Sequence, residues 1–447
     1  MSRLLLTFYG DDFTGSTDAL EQLTVAGIRT MLFIHPPTPA ELKKFPGLQA
    51  VGVAGNTRSL ATDAMERELK PALLALKKLG ARHVHYKVCS TFDSSSTIGS
   101  IGRVMDMAAK IFPAPFIPLL VAAPALGRYT VFGQHFARYG IGSSGAIHRL
   151  DRHPSISTHP ITPMTEADLR LHLAKQTKKD IGLIDILKFD LPEEEARAGI
   201  NEILRGAEVV LFDALTSDHL RRIGLLLDRF ASTRRPLFSV GSSGIEAALS
   251  SAWAAEGRVP RALSFRVKGR QNPSDQSKQI LVVSGSCSPV TGGQIAWALK
   301  HGFAEVQFDL TAVAADPTQE INRVIRAASR FLQGNRSVVV HTTKRGADKK
   351  LPRQLKGKTA SWLGVVAHFT LKKRLVNRVC VAGGDTSSYA ALAMGIQALE
   401  MIAPLTPGAP LCRVHAPDSP LNGCEVVFKG GQVGAENYFE VVKKGRT

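Results

Sequence analysis

The stretch LLLTFYGDDFTGSTDALEQLTVAGI, residues 4–28, constrains this chain more than any other part of it. Residues 4–8 form a short apolar run that reads as a buried strand. Gly10 breaks the run, Asp11 and Asp12 follow, and Thr14-Gly15-Ser16 opens a helical pattern carried by Leu20, Leu23 and Val25. In an open α/β sheet the turn after a strand lies at the carboxyl edge, where ligands bind. Two adjacent carboxylates there can orient or deprotonate a hydroxyl, or hold a metal ion. The Thr14 and Ser16 hydroxyls stand where a helix N-terminus offers unpaired N–H groups to an anion. The competing reading is a plain helix cap, but a cap needs only one Asp. The second carboxylate points to function.

The same strand, turn and helix pattern recurs. Strands are expected at 30–34, 50–54, 82–88 and 118–122, with helices at 62–79 and 101–111. Residues 124–163, rich in Gly, Pro, His and Ser, read as a long functional or mobile loop. Strands resume at 181–187, 209–213 and 236–240, and a polar stretch with Gly269 and Pro273 follows. Beyond it strands are expected at 280–284, 304–308, 337–341 and 378–382. Strand alternating with helix predicts mostly parallel sheets. The expectation is two α/β domains, 1–262 and 279–447, joined by a linker at 263–278.

Composition narrows the partners. A chain of 447 residues with 44% hydrophobic and 21% charged residues is that of a globular protein with two ordinary domains. It has no apolar run long enough to span a membrane, and its start has no small-residue cleavage site, so neither a span nor a signal peptide is expected. The cysteines (Cys89, Cys287, Cys380, Cys412, Cys424) are scattered without a CxxC pair, which fits a reducing cytoplasm and no zinc site. The net charge of +18 is concentrated over 341–380, where eleven Lys or Arg face one acid, Asp348. Only Trp362 and Phe369 interrupt that segment, too few aromatic rings to stack bases. It reads as a solvated basic face, or as long-range attraction for ATP-like anions. No nucleic-acid or membrane partner is expected, and a homo-oligomer is left open.

In the second half, the strand at 378–382 meets Gly383-Gly384, then Asp385, Thr386 and Ser387 at a helix start. Paired glycines let a backbone approach a phosphate, and the helix N-terminus favours its charge. Asp385 is a cap or a ligand for metal or ribose. Ser284-Gly285-Ser286-Cys287-Ser288 and Lys429-Gly430-Gly431-Gln432-Val433-Gly434 are further Gly/Ser turns. Together the three suggest a nucleotide site. Gly357-Lys358-Thr359 only imitates a P-loop, with Pro352 where its first Gly belongs, and Gly140, Gly142 and Gly145 follow no buried strand.

In the first half, Arg58, Lys87 and Arg128 each follow or close an expected strand and can converge at one sheet edge to grip a carboxylate. Ser90, Thr91, Asp93, Ser94 and Ser95 form a hydroxyl-rich turn suited to polyol hydroxyls or to capping a helix. His83 and His85 share a strand face without a third ligand, so they read as structural, and the sequence assigns no metal ligands.

In order and spacing these motifs resemble the four-carbon acid sugar kinases. The family's opening Asp-Asp-Leu-Thr-Gly-Ala turn is similar to Asp11-Asp12-Phe13-Thr14-Gly15-Ser16, and its Thr-Asp-Ser-Arg to Asn56-Thr57-Arg58-Ser59. Its Tyr-Lys-Lys-x-Asp-Ser-Thr stretch resembles residues 86–91, and its Gly-Arg loop Gly127-Arg128-Tyr129-Thr130. Its Ser-Gly-Ser-x-Ser, Gly-Gly-Asp/Glu-Thr-Ser and Lys-x-Gly-Asn-x-Gly turns match 284–288, 383–387 and 429–434. The resemblance implies a sugar-acid-binding N-terminal domain, an ATP-binding C-terminal domain and phosphoryl transfer in the active-site cleft between them. One departure bears on substrate: where tetronate kinases read Ser-Thr-Leu-Arg-Gly-Asn, this chain has Ser90-Thr91-Phe92-Asp93-Ser94-Ser95. That variant resembles the branch linked to 3-oxo-isoapionate.

The resulting expectation is an ATP-dependent kinase acting on a terminal hydroxyl of a small sugar acid, a 3-oxo-isoapionate or 3-oxo-tetronate. Asp12 is the expected general base, with Asp11 second. Thr14, Gly15, Arg58, Lys87, Ser90, Thr91, Asp93 and Arg128 bind the substrate. Ser284, Ser286, Gly383, Gly384, Asp385, Thr386 and Gly431 cradle ATP, whose phosphates need Mg²⁺. The alternatives are a threonate or erythronate kinase, a nicotinamide-dependent dehydrogenase, and a non-catalytic polyanion-binding protein that uses 344–378.

Overall fold

Leu6, Phe8 and Tyr9 are all buried, so the opening run forms an interior strand, β1 (Leu6–Gly10), covered on both faces. A computed structural model describes residues 4–141, 144–159, 161–259, 279–286, 288–342 and 353–446. Contacts divide the chain into two units, 1–139 with 144–266, and 140–143 with 267–447. The expected linker at 263–278 lies outside the described residues, as do residues 343–352 of the basic segment.

In the first unit β1 is followed by β2 (Thr30–Phe33), β3 (Ala50–Ala54), β4 (His83–Lys87) and β5 (Ile117–Leu120). Next come β6 (Arg128–Val131), β7 (Gln134–Arg138), β8 (Ile147–Arg149), β9 (Ile181–Ile184), β10 (Val209–Phe212) and β11 (Leu237–Gly241). Eight of these form a parallel sheet in the order β2-β3-β1-β4-β11-β5-β10-β9. β1 lies between β3 and β4: the chain places β2 outermost on one side of β1, fills the gap with β3, and then crosses to the other side with β4. Such a reversal opens a crevice at the carboxyl ends of the strands. Asp11 and Asp12, Arg58 and Cys89 follow β1, β3 and β4 and therefore share that edge.

Helix Thr62–Lys78 turns Met65, Leu69, Leu73 and Leu76 inward, where they join Val84, Tyr86, Val104 and Leu119 in one apolar core. Helix Gly244–Ala255 buries eight of its twelve residues, including Trp253.

Residues 124–163 are not simply irregular. They contain the antiparallel sheet β6-β7-β8. β6 and β7 alternate buried and half-buried positions, a period that their polar composition hides. The turn between them puts both Phe132 (φ 50) and Gly133 (φ 79) in the left-handed region, as a tight hairpin requires.

The second unit contains β12 (Leu281–Ser284), β13 (Ala304–Gln307), β14 (Val338–His341), β15 (Arg378–Ala382), β16 (Ala398–Thr406), β17 (Ala409–His415) and β18 (Glu425–Lys429). Their order is β13-β14-β12-β15-β18-β17-β16. The first five are parallel, and β17 runs antiparallel to both neighbours. Sequence periodicity had marked neither this hairpin nor β18. Gly357-Lys358-Thr359 falls inside helix Arg353–Lys372, which disposes of the apparent P-loop. No described helix is long and apolar enough to cross a membrane.

Candidate active site

Asp12 caps helix Phe13–Val25 with extended backbone, φ −141° and ψ 164°. Its Oδ1 accepts the Gly15 N–H at 2.7 Å, and its Oδ2 accepts the Thr14 hydroxyl at 2.9 Å. Arg58 Nη1 reaches the same Oδ2 at 2.7 Å. The cap and the charged site are therefore one residue. Burial pushes the Asp12 carboxyl up, but Arg58, Lys87 and the Gly15 and Thr14 donors outweigh it and hold it below the usual carboxylate range.

Asp11 behaves differently. Its backbone ties three strand ends together: its N–H donates to Lys87 O at 2.8 Å and its carbonyl accepts the Arg58 N–H at 3.0 Å. Its Oδ2 accepts the Cys89 N–H at 3.4 Å, while Oδ1 is buried without a hydrogen-bond partner. Burial and the neighbouring Asp12 charge push this carboxyl up to about 7. Asp11 is 2% exposed and Asp12 4%, so the two carboxyls lie in one buried cluster and are shifted in opposite directions.

Gly15 is required by close approach. A Cβ there would stand 2.5 Å from Asp12 Oδ1 and 3.2 Å from Lys87 Nζ. Lys87 is fully buried below it, donates to Val88 O at 3.0 Å and pairs with Asp18 at 3.4 Å. Burial would lower its pKa, but Asp18, Glu246, Asp11 and Asp12 outweigh that and raise it. Its charge thus bears on the aspartates from beneath, and it does not stand at the opening beside the part-exposed Arg58.

The turn after β4 carries Ser90, Thr91 and Asp93. Thr91 donates to Asp93 Oδ1 at 3.0 Å, and Asp93 Oδ2 lies 4.0 Å from Arg58 Nη1. Phe92 takes φ 58 with its ring buried against His172, a strained left-handed conformation for a non-glycine residue. Two histidines that sequence reasoning missed hold this turn. His135 Nε2 donates to Ser90 O at 3.0 Å, and its Nδ1 accepts the Thr130 hydroxyl at 2.9 Å. Burial pushes His135 down to about 4, so it is the neutral tautomer those partners require. His172 Nε2 bonds Ser94 Oγ at 2.9 Å. Neither histidine sits at a spacing that marks it in the sequence.

Arg128 is 4% exposed, with Nη1 on the carbonyls of Leu126 at 2.9 Å and Arg138 at 3.1 Å. Its Nε is buried without a partner, and among the described residues no carboxylate pairs with it. A buried guanidinium with a donor to spare suits an anionic ligand. His83 and His85 are structural, as expected: His83 Nε2 meets Asp228 at 2.9 Å and His85 Nδ1 meets Glu246 at 2.6 Å.

In the second unit the three Gly/Ser turns converge. A Cβ on Gly285 would lie 2.6 Å from Thr386 Oγ1, and one on Gly383 (φ 124) 2.8 Å from the same atom. A Cβ on Gly431 would lie 3.0 Å from Ser288 Cβ and 3.1 Å from Ser286 Oγ. Ser286 Oγ accepts the Ser288 N–H at 3.2 Å, and Ser284 Oγ accepts the Ser286 N–H at 3.4 Å. The first two turns lead into helices Pro289–Lys300 and Gly384–Ala393, so N–H groups and hydroxyls gather where a phosphate is favoured. Gln294, not foreseen, clamps the third turn by donating to Val433 O and Gly434 O, both at 2.9 Å. Gly384 opens its helix; the Asp385 side chain and Cys287 lie outside what the structure describes. Among the described residues, no group of three or more His, Cys, Asp or Glu is placed to hold a metal.

Residues 6–249 match the model of a sugar-binding N-terminal domain, and 281–439 that of a nucleotide-binding C-terminal domain. The chain is 41% identical to 3-oxo-isoapionate kinase of Paraburkholderia graminis, an alignment covering 99% of this chain and 95% of that protein. It belongs to the four-carbon acid sugar kinase family. A second relative in the family, 3-oxo-tetronate kinase of Methylobacterium radiotolerans, is 30% identical over 98% of both chains. A crystal structure from Salmonella typhimurium, described as a putative tRNA synthase, covers 99% of both chains with a TM-score of 0.78. At 24% identity that likeness speaks for the fold alone. The family's sugar-binding model spans the Asp11–Asp12–Arg58 cluster, and its nucleotide-binding model spans the three turns.

Proposed function

We propose that this chain is an ATP-dependent kinase that phosphorylates a terminal hydroxyl of a 3-oxo sugar acid, with a branched acid such as 3-oxo-isoapionate as the first candidate. The observation that carries this reading is the occurrence, in one chain, of a buried carboxylate–arginine cluster and a separate convergence of three phosphate-type turns. The relationship to a 3-oxo-isoapionate kinase supports the substrate.

The roles follow from the partners. Asp12, ionised by Arg58 and the helix N-terminus, accepts the substrate hydroxyl. The hydroxyl oxygen bonds to the γ-phosphorus as the bond from that phosphorus to the bridging oxygen of ADP breaks, and the hydroxyl proton passes to Asp12. In a loose transition state the alignment of that hydroxyl matters more than the strength of the base. Arg128, with its spare donor, binds the acid's carboxylate. Arg58 lies between Asp12 and Asp93, and Ser90, Thr91 and Asp93 read the remaining hydroxyls and the keto group. In the second unit Ser284, Ser286, Gly383, Gly384, Thr386 and Gly431 cradle the phosphates. Those turns offer hydroxyls and backbone N–H groups, a donor set that fits phosphate oxygens, with Mg²⁺ carried on the nucleotide. Bound Mg²⁺ neutralises phosphate charge.

ADP release with MgATP, measured over a panel of four- and five-carbon sugar acids and their 3-oxo forms, tests the reading. Turnover on a 3-oxo acid well above threonate and erythronate is expected. Silence across the panel together with no ATP binding by calorimetry would overturn it.

A further inference from the structure

Lys429 ends β18 and is 0% exposed, yet among the described residues it pairs with no carboxylate. Among the described residues its ammonium donates to the Thr291 hydroxyl, at 2.9 Å. Thr291 in turn donates to Gly431 O at 3.0 Å, and Lys429's own carbonyl accepts the Gly383 N–H at 2.9 Å. Lys429 is thus the first residue of one converging turn, bonds a second through Gly383, and through Thr291 touches the first turn of helix Pro289–Lys300. The other groups facing its ammonium are the Tyr438 ring at 6.0 Å and the thiol of Cys380. Burial pushes that thiol up to about 12, so it brings no negative charge at neutral pH.

A lysine ammonium buried without a counterion is expensive. The register Ala382↔Lys429 places it at the carboxyl end of the strands, directly behind the turns. A core role would be better served by an apolar residue of the same length.

We infer that Lys429 is the buried cation of the polyphosphate site, a positioning residue whose charge acts on a bound nucleotide through Thr291 and the Gly430-Gly431 turn. This rests on the reading of the second unit as the nucleotide site. Burial holds the free ammonium down at about 8, so near pH 8 Lys429 is charged in only part of the molecules. A nearby polyanion favours the charged form. Binding of the nucleotide must then draw a proton from solvent, and by linkage affinity must fall as pH rises through that range.

The experiment is titration calorimetry of the full chain with MgATP and no sugar acid, in two buffers of different ionisation enthalpy, from pH 6.5 to 9. Near pH 8, uptake of roughly half a proton per site is expected, fading toward pH 6.5 where Lys429 is already charged. Lys429→Met should lose the uptake and weaken MgATP at least about tenfold, while binding of adenosine, which carries no phosphate, stays the same. The uptake by the unaltered chain needs no variant, so it decides even where Lys429→Met does not fold. MgATP binding without proton uptake, or unchanged affinity in folded Lys429→Met, overturns the role of Lys429 and leaves the nucleotide site standing. No MgATP binding by the unaltered chain overturns both.

Discussion

Arg58 Nη1 stands 2.7 Å from Asp12 Oδ2, joining the turn after β3 to the turn after β1. This pair keeps Asp12 ionised within a buried cluster where a lone carboxylate would hold its proton. Replacing Asp12 by Asn keeps the cap but removes the charge proposed to accept the substrate hydroxyl. The expected result is a fall in kcat of roughly 10²- to 10⁴-fold with unchanged MgATP affinity, read by coupled ADP assay and calorimetry. Retained turnover would remove Asp12 from its role.

Asp93 lies 4.0 Å from the same Arg58 nitrogen and accepts from Thr91. Asp93→Asn removes a carboxylate charge near Arg58 and with it the charged acceptor proposed for a substrate hydroxyl. The ratio of kcat/KM for a 3-oxo acid to that for threonate should move by about tenfold, because sites built to hydrogen-bond a group discriminate through it. An unchanged ratio would remove Asp93 from substrate choice.

Gly15→Ala would set a methyl group 2.5 Å from Asp12 Oδ1, so the carboxylate must move. A displacement of that size is expected to lower kcat on the order of 10- to 100-fold. Circular dichroism and melting temperature should change little, since Gly15 is only half buried. Full activity in Gly15→Ala would mean that the Asp12 position is not critical.

Arg128 has a buried Nε without a partner, which an incoming carboxylate can take. Arg128→Met should raise KM for the sugar acid roughly 10- to 100-fold, the worth of one charged hydrogen-bonded contact, and leave KM for MgATP unchanged. Equal effects on both constants would point to a collapse of the β6–β7 hairpin.

Asp213 secures that hairpin. Its carboxylate accepts the N–H groups of Phe132, Gly133 and Ile186, yet burial pushes it up to about 6. A carboxyl raised in the folded state binds more protons there than in the unfolded chain. Its stabilising contribution is therefore full below pH 4 and lost as pH rises toward 6. Over that window the unaltered chain should lose up to roughly 3 kcal/mol relative to Asp213→Asn, measured by urea unfolding at several pH values. Parallel pH curves for the two proteins would refute the assignment.

Much of this molecule is legible from its sequence because the signals are local. The β1–Asp-Asp–helix unit, the alternation of strand with helix and the three Gly/Ser turns all rest on residues within a few positions of one another, where periodicity and capping chemistry operate. The hairpin β6–β7 escaped because its alternation is carried by polar residues, and Phe132 occupies a left-handed position that composition assigns to glycine. His135 and His172 escaped because they act on Ser90 and Ser94 from distant parts of the chain.

The sequence by itself determined the parallel α/β framework, the family, and which turns gather the paired aspartates and the Gly/Ser runs. Only the tertiary structure decided what each charge does. It holds Asp12 ionised and lifts Asp11 to about 7, buries Lys87 beneath them, leaves Arg128 a free donor and buries Lys429 at the Gly/Ser turns. The physical reason is that a charge takes its properties from burial and from neighbours within a few ångströms. Strand order brings those neighbours together from positions that sequence spacing does not relate.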